Sequence, residues 1–276
     1  MSNETLFFYP TEPSPSVKAF STTRISPFPT SADDMACTDS YAAFNVTDYC
    51  GDAPARVERN RQWLATELGI APERIVMPHQ THSARVAVVG EQTMELTPAD
   101  RRAQLDGTDA LITNVKGVCI GVSTADCVPI LLYDAERGAC AAVHAGWRGT
   151  VKRIPALTIE AMHEAFGTRA EAVQAIIGPS ISQQAFEVGD EVVEAFREAD
   201  FDTSALVRRM AMHPGGEVKA HIDLWAANAM LLEAAGVQME HIRVSGICTY
   251  AHHDTFFSAR RLGIRSGRIF TGIMMA

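Results

Sequence analysis

The sequence predicts an α+β protein, a single domain over residues 1–276 with mixed, largely antiparallel β-sheets covered by helices in α/β/β/α layers. Three observations carry that expectation. Between residues 85 and 144 lie five short, closely spaced segments rich in Val, Ile and Leu, the composition of strands joined by tight turns. After residue 150, helix-like and strand-like segments alternate. A chain of 276 residues, 47% apolar and 21% charged, has the makings of an ordinary globular core, and no repeat or low-complexity tract divides it.

Taken in order, residues 26–52 are rich in Ser, Thr, Pro and Asp and read as a long loop. Residues 56–68 have helical spacing, with Val57, Trp63, Leu64 and Leu68 on one face. Strands follow at 85–89, 110–113, 118–122, 128–133 and 139–144. Lys116-Gly117 and Arg137-Gly138 occupy the turns, so these strands are expected to form a meander. A helix is predicted over 155–166, with Pro155 tolerated in its first turn and Gly167 as its stop. A strand at 172–177 and helices at 190–198 and 224–235 come next. The last helix sits between an Asp223 cap and Gly236. Strands at 242–247 and 268–274 close the pattern.

The formal net charge of −9 argues against a nucleic-acid partner. The longest apolar runs are too short to cross a bilayer, and no basic segment precedes an apolar one near the N-terminus. A cytoplasmic location without membrane contact is therefore expected. Cys37, Cys50, Cys119, Cys127, Cys140 and Cys248 include no CxxC pair and read as reduced thiols. GxGxxG, P-loop, GxSxG and HExxH motifs are absent, as is the HxE…PCxxC deaminase signature.

Three segments put metal-capable side chains in telling places: HQTH at 79–82, TADCVPILL at 124–132 and AAVHAGWRG at 141–149. Cys127 heads one predicted strand and His144 ends the next. The turn between them makes an antiparallel hairpin, whose open ends meet. A Cys and a His in proximity, with a third ligand, suit zinc, and three protein ligands leave a position free for chemistry. Alternatively His144 serves as base to a Cys127 nucleophile. His79 or His82 can supply a third ligand. Asp126, in a segment built for burial, needs a partner and is expected to orient a ligand His or Arg. Arg148 follows His144 between glycines and is a candidate anion clamp. Arg260 and Arg261 are further anion-binding candidates, while His252 and His253 read as loop residues.

These blocks resemble a known family, long labelled multicopper polyphenol oxidase or laccase-domain and better described as purine nucleoside phosphorylase-like, with relatives called peptidoglycan editing factors. The resemblance runs from STTR at 21–24 through QTH, DALIT at 109–113, TADCVPILL and HAGWRGT. It continues through IGPSIS, FEVGDEV, DLWAAN, CTY and FFSARR to GRIF at 267–270. It implies one Zn²⁺ per chain on His82, Cys127 and His144. It also implies phosphorolysis of adenosine, inosine, guanosine and methylthioadenosine, with adenosine deamination as a side activity. The expected catalytic set is Cys127, His144 and Asp126; the expected substrate-binding set is Gln80, Arg148 and Arg260. Ser83 stands where the family usually has Gly. Nine histidines without a single HxH pair do not suit a multicopper site, so copper and polyphenol oxidation are not expected. A cysteine hydrolase built on Cys127 and His144, or an enzyme editing peptidoglycan precursors, is the alternative.

Overall fold

The computed structural model describes residues 4–11, 14, 16–28, 41, 44–212 and 215–276. Much of the predicted 26–52 loop, and Cys37 with it, lies outside those residues. A five-stranded sheet has the order β1 (Leu6–Phe8), β2 (Val17–Thr22), β14 (Ile269–Met275), β6 (Cys119–Thr124), β3 (Ile75–Val76). A six-stranded sheet has the order β13 (Ile242–Val244), β9 (Gln174–Ile177), β7 (Val128–Asp134), β8 (Ala139–Ala145), β5 (Ala110–Thr113), β4 (Val86–Val88). A small sheet joins β10 (Glu187–Val188), β12 (Val218–Ile222) and β11 (Val207–Ala211). Pairing is antiparallel except at β3–β6, β4–β5 and β9–β13.

Strand alternation builds the layers. On β7, Val128, Ile130 and Leu132 join a core with Ile154, Ile159 and Met162 of the helix Ile154–Phe166. Leu131 and Tyr133 point the other way, to Ile120 and Val122 of β6 and Ile273 of β14. Beyond the five-stranded sheet, Leu64, Ala65 and Leu68 of the helix Pro54–Leu68 cover Phe20, Cys119 and Phe270. The order is thus α/β/β/α. Because both sheets are covered on both faces, β6, β7, β8 and β14 are buried throughout and read as continuous apolar runs rather than alternating ones.

The expected meander is corrected in one respect. β5, β7 and β8 lie in one sheet, but β6 crosses to the facing one. The Lys116-Gly117 turn is a passage between layers, fastened by Gly117 N–H donating to the Met275 carbonyl at 2.8 Å. The Arg137-Gly138 turn is the hairpin expected, with Pro129 opposite His144 and Asp134 opposite Ala139.

Candidate metal centre

The hairpin register sets the site. Cys140, Ala142 and His144 share the β8 face turned toward the five-stranded sheet, while Ala141, Val143 and Ala145 face the helices. Val128 pairs with Ala145, so Cys127 and His144 meet at the open end of the hairpin, where the two sheets part. The third partner is His82, from the loop before β4. The ligand atoms of His82, Cys127 and His144 all lie within 4.8 Å of one another. No fourth His, Cys, Asp or Glu joins them among the described residues. Cys127 Sγ is 3.8 Å from His82 Nε2. His144 is buried, Cys127 half-buried and His82 exposed, so the group opens to one side.

Asp109, just ahead of β5, organises this group, and sequence reasoning missed it. Its carboxylate is fully buried. Oδ1 accepts from His144 Nδ1 at 2.7 Å and from the His82 amide at 3.0 Å. Oδ2 accepts from the amides of Thr81 at 3.1 Å and Ser83 at 2.7 Å. The His144 amide also donates to the Asp109 carbonyl at 2.8 Å. Burial alone would raise the Asp109 pKa, but the hydrogen bond and charge of His144, with donors from Ser83, hold it well below the usual carboxylate range. Burial likewise opposes ionisation of Cys127. The charge and hydrogen bond of His144, then those of His82, outweigh it and bring the thiol below its ordinary value. Cys119 and Cys140, buried without such partners, are pushed up.

That contrast has a chemical consequence. In metal-free protein, iodoacetamide is expected to modify Cys127 well before Cys119 and Cys140, and added zinc to protect it. Peptide mapping reads the order; equal labelling of the three would contradict it. Gly146 reports on the same packing. A Cβ there would lie 2.8 Å from Cys127 Sγ and 3.1 Å from His82 Cδ2. Gly146→Ala should therefore keep the fold and weaken metal binding roughly 10–100-fold, as when a ligand's support is disturbed. Titration against a competing chelator measures it.

The other candidates are placed as follows. His79 stays out of the group: its Nδ1 lies 2.7 Å from Asp106 Oδ1 and its ring edges against Tyr49. Gln80 is braced at both ends, donating to the Ser123 carbonyl at 2.9 Å and accepting from the Ser123 amide at 2.7 Å, so it pins the loop to β6. Asp126 has φ +89°. It accepts from Thr249 Oγ1 and from the Arg260 amide, each at 2.7 Å, not from a ligand histidine. It thereby fastens the 249–260 stretch beside Cys127. The Arg260 guanidinium donates to the Glu187 carbonyl at 3.0 Å. Arg148 is exposed over the Trp147 ring, 4.2 Å from its centroid.

Comparison with known proteins agrees with this architecture. Residues 29–276 match the family model described as multi-copper polyphenol oxidoreductase laccase. A purine nucleoside phosphorylase of Bacteroides thetaiotaomicron is 47% identical over 251 residues, 91% of this chain and 92% of that protein. Adenosine deaminase RL5, from an unknown prokaryotic organism, is 49% identical over 257 residues, 93% of each chain. Among solved structures, YlmD from Geobacillus stearothermophilus superposes with a TM-score of 0.82 at 29% identity, covering 96% of this chain and 93% of that one. The hypothetical protein YfiH of Bacillus licheniformis gives 0.81 at 26% identity, covering 98% and 99%. On fold and sequence alike, the chain belongs to the multi-copper polyphenol oxidoreductase laccase family.

Proposed function

We propose that this protein is a zinc-dependent purine nucleoside phosphorylase with adenosine deaminase side activity. The observation that carries the reading is the His82, Cys127 and His144 group, three protein donors converging at an opening in the fold. Its donor set fits zinc: one thiol of lowered pKa and two imidazoles, one of them with Nδ1 already committed to Asp109. Relatives 47% and 49% identical, named as a purine nucleoside phosphorylase and an adenosine deaminase, support the substrate class.

When bound, zinc would supply a Lewis acid with a net site charge of about +1, suited to phosphate or to oxygen gaining negative charge. The chain supplies the rest. His144 and Cys127 come from one rigid hairpin, His82 from a loop that Gln80 ties to Ser123. Asp126 has both carboxylate oxygens engaged, which suits positioning of the 249–260 stretch better than proton transfer. Arg148, exposed and resting on Trp147, serves as the anion clamp. No helix among the described residues is long and apolar enough to cross a membrane.

The test is metal analysis of purified protein together with purine release from adenosine and inosine, with and without phosphate. Phosphate-dependent release by zinc-loaded protein is expected. Phosphate-independent release, or full activity without metal, would overturn the reading. The latter would instead favour the cysteine-nucleophile alternative, for which Asp109, His144 and Cys127 stand in the order of a hydrolase triad.

A further inference from the structure

We propose that Asp109 is the positioning residue of the metal centre. Its one carboxylate sets both histidines, holding His82 in a left-handed backbone conformation and His144 in the tautomer that offers Nε2 to the ion. The proposal rests on the triad being a metal site, not on which nucleoside is turned over.

Three consecutive amides, of Thr81, His82 and Ser83, converge on this carboxylate. Successive amides can face one point only if the backbone folds into a concave nest, and such nests bind anions. The fold is visible at His82, which has φ +60° without being glycine. A β-carbon makes that region costly, so the surroundings must impose it. The carboxylate does so, supported by Ser83 Oγ, which donates to the Gly107 carbonyl at 2.8 Å. Oδ1 also receives His144 Nδ1 at 2.7 Å. An ionised carboxylate can only accept, so Nδ1 carries the proton and Nε2 is left for a metal. Asp109 is 27 residues from His82 and 35 from His144, so one buried charge ties two distant parts of the chain to a common geometry.

An asparagine at this position keeps the shape but replaces one acceptor oxygen with an NH₂ group that can only donate. Either the amides of Thr81 and Ser83 or His144 Nδ1 then face an N–H. Asp109→Asn should bind zinc 10–100-fold more weakly, the range for loss of a ligand's orienting partner. Full-length wild-type and variant proteins are titrated with zinc against a chromophoric chelator. Amide exchange should accelerate at Thr81, His82 and Ser83. Affinities within twofold of each other would overturn the proposal, even if the variant is less stable overall. Should the variant fail to fold, nitrogen NMR of wild-type His144 decides: the Nδ1 proton is expected with and without zinc. Its absence in either state overturns the assignment. Wild-type protein that takes up no zinc removes the metal reading, and the Nδ1 proton still tests the role of Asp109.

Discussion

Cys127→Ala is expected to lose zinc and phosphorolysis together. Cys127 is the one anionic donor of the group, and the two imidazoles alone make a poor site for a divalent cation that prefers thiolate and imidazole together. The site should fall from about one zinc per chain to background. Activity should drop at least ~1,000-fold, because several kcal/mol of charge stabilisation are lost and each 1.4 kcal/mol is about tenfold. The fold should survive. Cys127 is half-buried and precedes β7, and the backbone on either side is held by other bonds: Ile181 N–H donates to the Asp126 carbonyl at 2.9 Å, and Val128 pairs with Ala145. Metal content, phosphate-dependent purine release and circular dichroism are read on one preparation. A variant that keeps half its zinc and half its rate would show that the thiolate neither holds the ion nor serves the reaction.

The largest effect on stability is expected at Phe270, far along the chain from the metal ligands. Its ring lies over two glycines of the five-stranded sheet. A Cβ at Gly121 would come 2.3 Å from the ring, and one at Gly272 would come 2.7 Å from it. Glycine at both positions makes room for the ring, and Phe20 packs beside it with centroids 6.0 Å apart. Phe270→Ala removes the ring where its two glycine neighbours have no side chains to move into the void. Such truncations cost roughly 3–5 kcal/mol, with the upper part of the range where the site cannot collapse. Urea unfolding should show a lower midpoint at unchanged slope. A loss below about 1 kcal/mol would mean that the helix Pro54–Leu68 settles into the gap.

The parts of this fold that were legible in the sequence are those fixed by local chemistry. The Arg137-Gly138 turn and two apolar runs of matched length specify the hairpin, and the hairpin brings Cys127 to His144. Pro155 and Gly167 bound their helix as expected, and Asp223 caps its helix by accepting from the Ala226 amide at 2.9 Å. What stayed hidden has non-local causes. β11 reads Val-Arg-Arg-Met-Ala with its arginines exposed, and β10 has only two residues; neither carries a strand-like apolar pattern. The crossing of β6 between sheets cannot be told from a hairpin by turn residues alone. Asp109 resembles an ordinary polar residue at a strand entrance, and its four donors come from positions 81–83 and 144. Asp126, in a segment built for burial, needs a partner and has two, but they come from the 249–260 stretch, where no spacing rule points.

The placement of β14 between β2 and β6 carries a consequence for biosynthesis. A ribosome delivers β2 and β6 long before the strand that must lie between them. The hairpin bearing Cys127 and His144 can pair as soon as it emerges, being local. β2 and β6, both largely buried in the finished protein, wait with open edges until residues 269–275 arrive. During that interval they are the segments that a chaperone would have to shield, and β14 completes the sheet by insertion between two strands rather than by addition at an edge.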